Sequence, residues 1–200
     1  MADLEASREQ AGKDRLPSQV SPLRAPRIAV CGAGTCDAAV YERARQVGRL
    51  LAEAGAVLLC GGLGGVMEAA CRGAKEAGGP TVGILPGSEA GTANPYVDLP
   101  IVTSMAHARN VILVLSSDAV IAISGAAGTL SEIALALKID RPVVGLGTWQ
   151  LVRSDGLPEE RVRYAASPEE AVQWALEKTR SNDGIELEAG EPRVLRPVKE

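Results

Sequence analysis

Residues 117–138 read SDAVIAISGAAGTLSEIALALK: a run of small apolar residues, a break at Gly125, then apolar residues at helical spacing with Glu132 among them. A continuous β-branched and aliphatic run is how a strand buried on both faces reads, and the spacing after the break is that of an amphipathic helix. Glycine in such a turn permits positive φ and lets backbone approach a ligand, while the helix that follows points free N–H groups and its positive end toward the turn. The stretch therefore predicts strand, anion-accepting turn and helix in succession, with Glu132 in the helix's first turn.

The same unit recurs on both sides of it. Aliphatic runs stand at 27–31 (RIAVC), 56–60 (AVLLC), 81–85 (TVGIL), 100–104 (PIVTS), 119–124, 142–147 (PVVGLG) and 162–166 (VRYAA). Helical patterns separate most of them, as in AAVYERARQVGRLLAEAG, where Val40, Ala44, Val47, Leu50, Leu51 and Ala54 share a face and Gly55 stops the helix. The last helix opens at SPEEAVQWALEK, with Ser167 suited to the N-cap and Pro168 to the first helical position. Alternation of this kind predicts an α/β fold: a Rossmann-like, doubly wound parallel sheet of about seven strands with helices on both faces. One domain over residues 26–180 is expected, flanked by polar, aperiodic segments at 1–25 and 181–200 that read as flexible tails.

Composition narrows the function classes. The chain has 200 residues, a net charge of −4, 2% aromatic residues and no Phe, so neither a basic field nor stacking platforms for nucleic acid are expected. No stretch reaches the apolar length of a membrane span, and the first residues lack the apolar segment of a secretion signal, which predicts a cytoplasmic protein. Cys31, Cys36, Cys60 and Cys71 form no C-x-x-C pair, and His107 is the sole histidine, so no metal site is expected.

In an open parallel sheet, ligands bind beyond the carboxyl ends of the strands. Three of the loops there are glycine-rich: Gly32, Gly34 and Thr35 after the first strand, Gly61, Gly62, Gly64 and Gly65 after the second, and Gly125, Gly128 and Thr129 after the fifth. A dinucleotide fingerprint needs a third glycine where Asp37 stands and an acidic residue closing the second strand, where the chain has Cys60 and Gly61, so NAD is disfavoured. Neither a P-loop nor a G-x-S-x-G elbow occurs. Phosphate binding is what survives.

Arg109, with His107 and Asn110, follows the fourth strand. With strand order 3-2-1-4-5-6 that strand lies between the first and fifth, and Arg109 faces two of the glycine loops, suited to grip phosphate or carboxylate. Glu132 has two readings. Thr129-Leu130-Ser131-Glu132 is a capping box, and equally a carboxylate beside a phosphate loop can bind ribose, orient water or stabilise a sugar cation.

Taken together, GTC near the start, CGGLGGVMEAACRGAKEAGG, TVGILPG, MAHARN and GAAGTLSE resemble the LOG family, once labelled lysine-decarboxylase-like, over about residues 26–178. Its characterised members are phosphoribohydrolases that release a cytokinin base from its nucleoside 5′-monophosphate. The HARN and GTLSE variants are more similar to its molybdenum-cofactor carrier branch. The resemblance implies a homodimer or higher homo-oligomer, no PLP, a phosphate loop on Gly125, Gly128 and Thr129, and a catalytic pair of Arg109 and Glu132. Where the enzymes read M-H-x-R-K and P-G-G-x-G-T-x-x-E, this chain has Asn110 for the lysine and Ala126 for the second glycine. The first expectation is thus a binder of a phosphorylated nucleotide or of the phosphate-bearing molybdenum cofactor. The alternative is a hydrolase of the N-glycosidic bond of AMP or a cytokinin nucleotide.

Overall fold

The structure, a computed structural model, describes residues 25–183; the tail expectations for 1–24 and 184–200 lie outside the described residues. Seven parallel strands form one sheet: β1 (Arg27–Gly32), β2 (Val57–Cys60), β3 (Thr81–Leu85), β4 (Leu99–Val102), β5 (Ala119–Ile123), β6 (Val143–Leu146) and β7 (Val162–Tyr164). The helices are α1 (Ala38–Glu53), α2 (Val66–Glu76), α3 (Asn110–Ser116), α4 (Ala127–Lys138) and α5 (Pro168–Asp183). The expected α/β class and strand number are what the chain adopts.

Alternating residues of the central strands feed two cores. Ile28 and Val30 of β1 and Ile121 and Ile123 of β5 pack on α1, α2 and α5, through Val47, Leu51, Met67 and Val172. Ala29, Cys31, Val120 and Ala122 point the other way, against Leu113 and Val114 of α3 and Ile133 and Ala136 of α4. Both faces of β1 and β5 are therefore dry, which is why these strands read as unbroken apolar runs.

The strand order is β4-β3-β2-β1-β5-β6-β7. This corrects the expected order in one respect: the fourth strand does not lie between the first and fifth but at the edge, paired only with β3, while β5 pairs directly with β1. The physical reason is the connection over residues 86–98, which holds only a 3-10 turn at Ala90–Thr92 and no crossover helix, so the chain adds β4 beside β3. Nor is β4 buried on both faces like its neighbours. Leu99, Ile101 and Val102 are 56, 40 and 46% exposed, because no helix covers that edge. The strand order reverses between β1 and β5, and the crevice above that switch point is where an open sheet of this type takes ligands.

Candidate functional site

Helices α1, α2 and α4 begin at the carboxyl edge of the sheet, and their first turns differ. In α1, Asp37 accepts the Val40 N–H at 2.8 Å, so the residue that breaks the dinucleotide fingerprint is the helix's own cap. In α2, Gly65 takes the N-cap position at φ +62° and the Val66 N–H donates to Ala33 O at 3.0 Å, which joins the first two glycine loops. A Cβ on Gly65 would lie 2.4 Å from that same carbonyl oxygen. In α4 the N-cap is Ala126, which has no side chain to cap with, and the first turn carries no acidic residue. The first backbone bond of α4 is Leu130 N–H to Ala126 O at 3.1 Å, and the N–H groups of Ala127, Gly128 and Thr129 meet no acceptor among the described residues.

The turn into α4 is held from behind. Ser124 and Gly125 sit at φ 50° and 108°, the Ser124 carbonyl accepts from Thr148 Oγ1, and the Ala126 carbonyl accepts from Trp149 Nε1 at 3.3 Å. With those carbonyls tied, the turn is fixed with its free amides unshared. Gly125 is required twice over, by its φ and because a Cβ there would stand 2.4 Å from Thr129 Oγ1. Thr129 is 2% exposed and its Oγ1 has no hydrogen-bond partner. A buried hydroxyl left unpaired costs roughly 1–3 kcal/mol.

Arg109 reaches this point by a route the sequence did not suggest. After β4 the chain turns through Ser104 and Ala106, both at positive φ, tethered by Ala106 N–H to Pro86 O at 3.0 Å. The 3-10 turn Ala106–Arg109 then carries the arginine from the sheet edge back over the β1–β5 crevice. Its Nη1 lies 3.1 Å from Glu132 Oε1, with the two side chains 10 and 7% exposed, and its Nε has no partner. The guanidinium rests on Gly61, where a Cβ would fall 2.3 Å from Nη2.

Glu132 stands in the second turn of α4, not the first, because the helix begins at Ala127. Thr129 is accordingly inside the helix and cannot be its N-cap; the capping-box reading of Thr129 and Glu132 falls, and the carboxylate turns to Arg109 instead. Burial raises the Glu132 pKa above the ordinary value near 4.5, against the lowering influence of Arg109 and of a hydrogen bond from the Cys31 thiol. Burial first, and then the Glu132 charge, push the Cys31 thiol well up, so Cys31 is a neutral donor.

These residues surround a cavity of about 320 Å³ lined by Gly32, Ala33, Gly34, Thr35, Leu63, Met67, His107, Arg109, Asn110, Ala126, Gly128, Thr129 and Glu132. Of the residues singled out in the sequence, Gly32, Gly34, Thr35, Gly128, Thr129, Arg109 and Glu132 come together here. Gly61, Gly62, Gly64, Gly65 and Gly125 do not line it: Gly61 seats the arginine, Gly125 clears Thr129, and the rest shape the second loop. That loop is clamped by Asn94, whose N–H donates to Gly62 O and whose Nδ2 donates to Leu63 O at 2.9 Å. Asn94 and Met67 escaped the sequence reading, since a lone asparagine in a loop and an apolar residue in a helical pattern carry no signal of a site, and Cys31 was read only as lacking a C-x-x-C partner.

A larger depression of about 440 Å³ by Tyr41, Arg45 and Arg72 is a poorer candidate. Its arginines are already paired, Arg45 with Glu42 and Glu76, Arg72 with Glu76. Among the described residues no cluster of three His, Cys, Asp or Glu is placed to hold a metal ion, and no helix is long and apolar enough to cross a membrane.

Comparison with known proteins agrees with this fold. Residues 25–172 match the model of the SLOG cluster4 family. The molybdenum cofactor binding protein of the phototrophic bacterium Rippkaea orientalis is 43% identical, over 78% of this chain and 98% of its own, with a TM-score of 0.72. The Moco carrier protein of Chlamydomonas reinhardtii is 39% identical over 80% of this chain and 99% of its own, with a TM-score of 0.68. An uncharacterized protein of Archaeoglobus fulgidus is 46% identical over 154 residues, 77% of this chain and 97% of that one.

Proposed function

This chain belongs to the SLOG cluster4 family, and we propose that it is a carrier that holds a phosphorylated ligand, the molybdenum cofactor or a nucleotide, with the phosphate at the start of α4. The observation that carries the reading is the buried, unpartnered Thr129 hydroxyl beside the uncapped amides of Ala127, Gly128 and Thr129. An anion at a helix start gains both hydrogen bonds and the favourable end of the helix dipole. The unpartnered Arg109 Nε adds a charged donor at the same cavity. The likeness to two proteins described as binding or carrying the molybdenum cofactor favours that cofactor as the cargo.

The residues present fit the phosphate-bearing end of that cofactor. Gly128, Thr129 and Arg109 would hold the phosphate, with Leu63 and Met67 as the apolar wall for a ring. The bound cofactor brings a molybdenum redox centre, while this chain's own residues bind, orient and shield it. A homodimer in the cytoplasm is part of the proposal. The exposed apolar residues of β4 and α3 offer a surface between copies, and four free thiols suit a reducing compartment.

One observation favours a second reading, hydrolysis of a nucleoside 5′-monophosphate: Glu132 lines the cavity with a raised pKa and Arg109 at 3.1 Å, the resources needed to assist departure of a base. Thermal unfolding with inorganic phosphate, AMP or molybdenum cofactor, together with assay of AMP for released adenine and ribose 5-phosphate, separates the two. A carrier is stabilised without turnover, by roughly 2.7 kcal/mol at 100 times Kd. Turnover that Glu132→Ala abolishes establishes the hydrolase instead, and no stabilisation by any of the three overturns both.

A further inference from the structure

We propose that Asn110 and Ser131 are positioning residues for the anion seat, forming a hydrogen-bond relay that strengthens the Thr129 N–H as a donor; the inference rests on the seat binding an anion, as proposed above. Asn110, at the start of α3 and 4% exposed, donates from Nδ2 to Ser131 Oγ at 2.8 Å. Ser131 donates from that hydroxyl to the Gly128 carbonyl at 2.7 Å. A hydroxyl has one hydrogen, and here it is committed to Gly128. Its oxygen must therefore accept from Asn110, which fixes the amide with its NH₂ toward Ser131.

The Gly128 carbonyl belongs to the same peptide unit as the Thr129 N–H, one of the three uncapped amides. A hydrogen bond received at a carbonyl polarises its peptide and makes the N–H a better donor. The relay thus runs from a buried amide on α3, through an exposed hydroxyl, to the amide that faces the anion. It also ties α3, which follows directly on Arg109, to the helix that carries the seat. Ser131 is exposed, so it adds little by burial, and a hydroxyl bonded back to its own helix is at best neutral for helix stability. Its place is better explained by the seat than by the fold.

Titration of inorganic phosphate into the full chain by calorimetry tests this, using wild type, Asn110→Ala, Ser131→Ala, the double variant and Ser131→Thr. Each alanine variant is expected to weaken phosphate about fivefold, the scale of one hydrogen bond. The double variant should lose no more than the worse single one, because both act along one chain of bonds. Ser131→Thr, which keeps the hydroxyl, should bind as wild type does, and the unliganded Ser131 variants should keep the wild-type unfolding temperature. Unchanged affinity in Ser131→Ala, or losses that multiply in the double variant, overturns the relay while leaving the seat. If wild type binds neither phosphate nor AMP, the seat itself falls and the relay with it.

Discussion

Thr129 and Glu132 each hold a largely buried polar group, and each leaves a measurable trace. Replacing Thr129 with valine keeps the shape and removes the orphan hydroxyl, so unliganded Thr129→Val should be more stable by about 1 kcal/mol. Phosphate affinity should fall about tenfold in the same variant. Parallel thermal unfolding and phosphate titration check both; a loss of stability would mean that the hydroxyl is satisfied in the unliganded protein. Glu132 has its folded pKa raised above the unfolded value near 4.5, so its contribution to stability is fully present below that value and is lost as pH rises through the raised one. Unfolding temperatures of wild type and Glu132→Gln should therefore diverge with pH, the glutamine variant gaining relative to wild type from about pH 4.5 upward. A constant difference would refute this. Of the residues that line the cavity, Gly32, Gly34, Gly128, Thr129 and Arg109 stood out in the sequence, because they sit in glycine-rich turns after strands or, for Arg109, follow a strand, although Gly125 in the same pattern turned out to clear space for Thr129 instead. The reason the sequence offered for Arg109 was nonetheless wrong: it is delivered by a strained return from the sheet edge, encoded in the positive φ of Ser104 and Ala106, two residue types that give no warning of it.

At the scale of elements, the seven strands followed from the continuity of their apolar runs, and the helices from their spacing and stop signals. What the runs do not encode is which side of β1 each strand joins, since a short connection without a helix looks like any loop. The helix pair α1 and α2 shows the same gap. Gly48 and Gly73 sit within helical patterns, where glycine costs about 1 kcal/mol against alanine. Helix packing explains them: a Cβ on Gly48 would lie 1.9 Å from Ala70 O, and one on Gly73 1.8 Å from Arg45 O. The two helices touch backbone to backbone. Gly48→Ala should therefore lose about 3 kcal/mol by overpacking despite its gain in helix propensity, read from denaturant unfolding. A neutral result would show that α1 and α2 separate without penalty. Since α2 starts at the second glycine loop, such a separation would also reach the cavity.

For the molecule as a whole, one edge of the sheet, β4, has no helix over it. Leu99, Ile101 and Val102 on β4, with Val111 and Leu115 on α3, are each at least 40% exposed. Exposed apolar side chains of this kind on an edge strand and a nearby helix are candidates for contact with a second copy. Light scattering coupled to size exclusion should find two copies of the wild-type chain, and Ile101→Lys should shift the population to one copy with its helical signal unchanged. A wild type that runs as one copy at all concentrations would remove the dimer from the proposal. The thiols are distributed in the opposite sense to this apolar surface. Cys31, Cys60 and Cys71 are sealed in the cores and Cys36 alone is partly open, one residue beyond Thr35 at the cavity wall. The chain thus comes with a built-in attachment point for a fluorophore: under native conditions a maleimide dye should mark Cys36 and spare the rest. Arrival of cargo should then be visible as a change in emission, with no cysteine added or removed.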